Sequence, residues 1–174
     1  MKKKLWCLVL LISLVGLSFM VVGCSEDNKS YLRIHIRANS NLKEDQEVKY
    51  YVKDKVVEYI TPMVSSVSSK KDLENKLNAN KSDIENFVND ILKNLGFNYR
   101  CEMKINNEYF PTRTYDNLTL KGDYYDALIL NLGSGAGDNW WCVVYPPLCF
   151  TNQKNSVSVV YKSKLVEIIR KFFK

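Results

Sequence analysis

The sequence predicts an α+β fold: a single domain with an antiparallel sheet and helices packed on one face. Three observations predict it. Residues 31–38 and 97–105 alternate apolar and polar side chains, the period of a strand with one buried face. Between them, residues 48–60 and 84–95 repeat apolar side chains at helical spacing. From 97 to 132, strand-like stretches follow one another through short turns, which suits antiparallel neighbours.

The chain opens with a segment outside this fold. Lys2, Lys3 and Lys4 form a positive start, Leu5 to Val22 is an uncharged apolar run, and Val21-Val22-Gly23-Cys24 closes it with a small residue before a cysteine. That order matches a secretory signal. The closing residues are similar to a lipobox, so residues 1–23 are expected to be a lipoprotein-type signal peptide and Cys24 the lipidation site. An uncleaved transmembrane anchor is the alternative, because the run is long enough to span a bilayer. Either way, the rest of the chain is expected outside the cytoplasm, tethered to a membrane. The two or three acyl chains of a lipoprotein would anchor it stably. Residues 24–30 are polar and read as a tether. Residues 31–174 then suit one domain.

The elements follow in order. Leu32, Ile34 and Ile36 share one face of the first strand, and Arg33, His35 and Arg37 the other, which predicts a half-buried strand. Asn41 and Glu44 have capping-box spacing ahead of a helix through Ile60, with Pro62 as its stop. A short helix over 70–77 has only Leu73 and Leu77 as apolar anchors. A stronger one follows, with Ser82 and Glu85 at capping-box spacing, a stripe from Ile84 to Leu95, and Gly96 at its end. The strand over 97–105 is expected to turn at Asn106-Asn107 and return over 108–115, with Pro111 implying an edge or bulge. Two further strands, 118–120 and 124–132, flank a turn at Lys121-Gly122-Asp123. A last helix is expected over 160–173. No internal repeat is visible.

Charge and cysteines narrow the function. The formal net charge is +6; without residues 1–23, and so without three lysines, it is +3. That is too mild to argue for nucleic acid. Of five cysteines, Cys7 lies in the leader and Cys24 is the lipid site, leaving Cys101, Cys142 and Cys149. Outside the cytoplasm Cys142 and Cys149 can oxidise. Pro146-Pro147 between them argues against one continuous helix, which would hold them too far apart. A Cys142–Cys149 disulfide is therefore expected, and Cys101 reads as an inert core residue.

Motifs for chemistry are weak. Gly133-Ser-Gly-Ala-Gly137 lacks the Gly-Lys-Ser/Thr ending of a P-loop and reads as a turn feeding a helix capped by Asp138 or Asn139. His35 is the only histidine, and no cluster has metal-ligand spacing, so no metal or cofactor is expected. Cys142 with the distant His35 is the one nucleophile–base pair on offer. Phe110-Pro-Thr-Arg-Thr-Tyr115 places an arginine between aromatics, which suits an edge-strand cation–π contact or an interface hot spot. Trp140 and Trp141 pose the same choice, since adjacent residues on one element do not share a face. They belong to a dense cluster: two of three tryptophans, two of five cysteines and two of four prolines fall within Trp140 to Cys149.

Three blocks now resemble one family, stage II sporulation protein R. They are Arg33-Ile-His-Ile-Arg-Ala-Asn-Ser40 with Glu44-Asp45-Gln46; Phe110 to Tyr115 with Asn117-Leu-Thr-Leu120 and Gly122-Asp-Tyr124; and Gly135 to Phe150. The resemblance implies an exported signalling protein of sporulation, not an enzyme. Its location would be the space between forespore and mother-cell membranes. Its partner would be a membrane-embedded aspartic protease, which processes the precursor of the mother-cell sporulation sigma factor. The lipobox here departs from that pattern and implies anchoring through Cys24. Partner-binding candidates are His35, Arg37, Asn39, Asp45, Arg113, Tyr115, Asn139, Trp140 and Trp141. Two other readings stand beside it: an envelope cell-wall enzyme using Cys142 or His35, and a passive ligand-binding lipoprotein.

Overall fold

The computed structural model describes residues 30–115 and 118–149. The first strand is β1 (Leu32–Arg37). Three helices follow, α1 (Lys43–Ser65), α2 (Lys70–Ala79) and α3 (Lys81–Asn94). Next come β2 (Cys101–Phe110), the short strands β3 (Arg113–Tyr115) and β4 (Leu118–Leu120), then β5 (Asp123–Leu132) and β6 (Asn139–Tyr145). The main sheet has the order β2-β5-β1-β6, and β3 pairs with β4 in a separate two-stranded ribbon. The α+β class holds. The sheet is mixed, however: β2–β5 and β1–β6 are antiparallel, while β1 and β5 run parallel. The helices carry the chain across one face to the far edge, so β5, returning beside β2, meets β1 in the same direction.

The apolar stripes explain the layers. Leu32, Ile34 and Ile36 of β1 and Leu128, Leu130 and Leu132 of β5 face the helices. There they meet Val48, Val52, Val56 and Ile60 of α1 and Ile84, Val88 and Leu92 of α3. Leu73 and Leu77 do anchor the short helix α2, as their spacing predicts. A second cluster lies on the opposite face, where Phe110, Tyr125, Ala127, Ile129 and Val143 pack under Leu118 and Leu120 of the ribbon. Because β1 lies inside the sheet with cover on both sides, it is not half-buried: Arg33 and His35 are buried as well.

Several local expectations are corrected. No hairpin forms at Asn106-Asn107; β2 runs straight through, paired with β5 from Cys101 to Phe110. A ladder of that length outweighs the turn preference of two asparagines, and Asn107 donates to Asp126 instead (3.0 Å). The chain leaves the ladder at Pro111, which has no N–H to give. Helix α1 does not stop at Pro62 but ends at Ser65. Pro62 is exposed, and its missing N–H costs little in a last turn open to water.

The capping boxes also fail. Leu42 precedes α1 without a side-chain cap, and Asn41 accepts from the Asp138 N–H (2.6 Å). Ser82 lies inside α3, whose start follows directly on the end of α2, and Glu85 accepts from the Met103 N–H (2.7 Å). The glycine-rich segment feeds β6, not a helix. The strand expected from Phe97 begins only at Cys101. The helix expected over 160–173 lies outside the described residues, as do the leader and Cys24. No described helix is long and apolar enough to cross a membrane.

Candidate functional site

The sheet face away from the helices gathers polar and aromatic groups from three distant parts of the sequence. Strand alternation puts Arg33, His35 and Arg37 of β1 on this face, and Asn139 and Trp141 of β6 beside them. Register sets the neighbours: His35 lies opposite Trp141, and Arg37 opposite Asn139. Glu108 arrives from β2, and the ribbon supplies Arg113 and Tyr115.

At its centre, the His35 Nδ1–H donates to Glu108 Oε2 (2.9 Å). Arg37 Nη2 donates to the other oxygen of the same carboxylate. Burial lowers the pKa of His35; the Glu108 hydrogen bond opposes that shift and the Arg37 charge adds to it. Burial would raise the pKa of Glu108, but the His35 hydrogen bond and the Arg37 guanidinium bring it below its ordinary value. The other ring nitrogen, Nε2, is buried, and the Asn139 side chain interacts with the imidazole and also opposes the downward shift. The His35 ring lies 5.5 Å from that of Trp141 and 5.6 Å from that of Phe110.

Two arginines flank this centre. Arg33 is fully buried (0 % exposed), stacked 4.2 Å over Phe110 and 4.9 Å over Tyr125. Its Nη2 donates to the Tyr115 hydroxyl (2.6 Å). Its Nε and Nη1 find no acceptor among the described residues. Arg113 is exposed on the ribbon and stacks 4.6 Å over the Trp141 ring. The Trp141 Nε1 is also buried and finds no acceptor among the described residues.

Six of the nine candidates thus meet on one face: His35, Arg37, Arg113, Tyr115, Asn139 and Trp141. Trp140 points to the helix side, packed against the core there with Lys53 over its ring (5.7 Å). Asn39 and Asp45 sit elsewhere, in a latch between the end of β1 and the start of α1. Asp45 accepts from Asn39 Nδ2 (3.0 Å), Ser40 Oγ (2.6 Å) and the Tyr99 hydroxyl (2.6 Å). Burial would raise the Asp45 pKa, and these donors lower it instead. Asn39 Oδ1 accepts in turn from the Ser134 N–H (3.0 Å).

Sequence reasoning missed Arg33 and Glu108 as members of the face. Arg33 was legible as the third polar residue of the first strand. Glu108 was hidden by the expected hairpin, since its place depends on β2 continuing through Asn106-Asn107.

The structure contains the expected Cys142–Cys149 disulfide. Cys142 belongs to the helix-side cluster, opposite Ile34 in register, whereas His35 faces the other way. The two are not brought together as nucleophile and base. Among the described residues no group of three or more His, Cys, Asp or Glu is placed to hold a metal ion.

The family model described as stage II sporulation protein R matches residues 28–155. Stage II sporulation protein R of Bacillus subtilis (strain 168) is 31% identical over 128 residues. That alignment covers 74% of this chain and 57% of the relative, so the chain spans little more than half of the relative's length. No solved structure matches. The matched stretch begins before β1 and runs past the disulfide, so it takes in every strand and helix described above, and the chain belongs to the stage II sporulation protein R family.

Proposed function

We propose that this protein is an exported sporulation signal that acts by docking the sheet face opposite its described helices on a membrane-embedded aspartic protease. That protease processes the precursor of the mother-cell sporulation sigma factor. The supporting observation is the convergence of three separate motif blocks on one face: His35 and Arg37 from the first, Arg113 and Tyr115 from the second, Asn139 and Trp141 from the third. Aromatic and arginine side chains around polar anchors have the composition of an interface hot spot.

The mechanism is a population shift. The domain binds the active arrangement of the protease more tightly than the resting one and so favours it; equal binding to both would shift nothing. Lipidation of Cys24 holds the ligand on the outer face of the forespore membrane, and the short tether of residues 24–30 sets its reach. No residue of this chain performs chemistry in this scheme, and it requires no cofactor.

The test is reconstitution in a non-sporulating host. The full chain, with its leader, is co-expressed with the protease and the sigma-factor precursor, and precursor cleavage is followed. Cleavage that depends on this chain is expected, and a Cys24→Ala version reports on the anchor. Absence of cleavage despite verified export and folding would overturn the reading.

A further inference from the structure

The docking face contains a positive site with no counter-charge among the described residues. Arg33 is wholly buried, yet no described carboxylate lies within ion-pair distance of it, and among the described residues its guanidinium donates only to a neutral phenol hydroxyl. Arg113 lies close enough for its charge to act on Arg33. Glu108, the carboxylate at the centre of this face, is already shared by His35 and Arg37. Stacking on Phe110, Tyr125 and Tyr115 offsets part of the cost of burying a guanidinium. It leaves two N–H groups without acceptors, and a buried charge with open donors is strongly disfavoured unless something completes it.

We propose that Arg33 and Arg113 together receive the carboxylate of an Asp or Glu side chain from the docking segment of the protein partner. The inference rests on the docking role argued above. The charge of the site selects the occupant: two guanidiniums with open donors suit a carboxylate, which accepts from a planar guanidinium in a two-bond fork. The entering oxygen takes the place of the Tyr115 hydroxyl, because a charged acceptor makes the stronger bond. Tyr115 belongs to the two-stranded ribbon, which pairs only with itself, so it can swing aside without breaking a ladder of the main sheet. The buried Trp141 Nε1 offers a further donor on the same face.

The test compares the wild-type full chain with Arg33→Met and, as a variant at an exposed position, Arg113→Met. Capture by the reconstituted protease and thermal midpoint are both measured. A second arm compares sodium acetate with sodium chloride at equal ionic strength, which reads the site without the protease. Capture is expected to fall at least tenfold in Arg33→Met, with no loss of thermal midpoint, because the change removes an uncompensated charge. Acetate is expected to raise the wild-type midpoint by about 1–3 °C and to do so in neither variant.

Undiminished capture by both variants would overturn the proposal. So would a lowered midpoint in Arg33→Met with capture intact, which would mark a purely structural cage. If the wild type itself is not captured, the docking role fails and the acetate arm decides the site alone. A shift that disappears in Arg33→Met then upholds it, and no shift, or one that persists, overturns it. Asp116 lies outside the described residues. If Asp116→Asn lowered the midpoint and Arg33→Met cancelled that loss in the double variant, the counter-charge would be the chain's own and the proposal would fall.

Discussion

Gly133 and Asn39 are packed so closely that a methyl group on the glycine would lie 2.3 Å from the Asn39 amide oxygen. Gly133 also sits at φ +59°, a backbone region that L side chains rarely adopt. The contact joins the end of β1 to the loop ahead of β6, and the Asn39–Ser134 hydrogen bonds reinforce it (3.0 and 2.6 Å). Gly133→Ala is expected to destabilise the fold by about 2 kcal/mol or more, from clash and strain together. Urea unfolding measures it, and a change under about 0.5 kcal/mol would mean the latch yields freely.

Acid should weaken the protein in two steps. The folded pKa of His35 lies below its ordinary 6.5, so the unfolded chain takes up that proton first. Stability is then fully present above about pH 6.5 and declines as pH falls toward the folded value. Glu108 is also lowered, from 4.5; its contribution is present above pH 4.5 and is lost as pH falls through the folded value. His35 is the only histidine, so His35→Gln should flatten the slope of the urea midpoint between about pH 7 and 5. An unchanged slope would assign the effect to other groups.

Removing the Cys142–Cys149 disulfide, by Cys142→Ser with Cys149→Ser, should cost about 2–3 kcal/mol from the loop-closure term. The bond also holds the turn after β6 against that strand, where the Cys149 N–H donates to the Val143 carbonyl (3.3 Å). The readout is the denaturation midpoint with and without reductant. Reductant should lower it in the wild type and leave the double variant unmoved.

Burial pushes the Cys101 thiol up to about 12. It should therefore resist alkylation by iodoacetamide in the folded, oxidised protein and react only on unfolding. Mass spectrometry settles the point: labelling of Cys101 under native conditions, at a rate near that of a free thiol, would show that the core opens there.

Arg113→Ala and Trp140→Ala should separate docking from packing. Arg113 is exposed, so its loss should change stability by less than about 0.5 kcal/mol while precursor cleavage falls. Trp140 packs against the helix-side core, so its truncation should cost about 2–4 kcal/mol. Equal losses of stability in the two variants would contradict this assignment.

The fold class and the faces of its elements follow from local patterns in the chain. The two-residue alternation from Leu32 to Arg37 set which residues of β1 meet the helices, and the stripes from Val48 to Ile60 and Ile84 to Leu92 set the helices that cover them. These are local periodicities, dictated by backbone geometry within one element. The two-proline spacing between Cys142 and Cys149 likewise made their disulfide legible. The rest depends on contacts between segments far apart in the chain. Whether Asn106-Asn107 turned or continued depended on ten pairings with β5, which no local window contains. Which of nine candidates share a face depended on register between strands far apart in sequence, so that His35 meets Trp141 and Glu108 while Trp140 points away. The burial of Arg33 was out of reach for the same reason: an alternating strand looks alike at an edge or in the middle of a sheet, and only the partners on both sides remove the water.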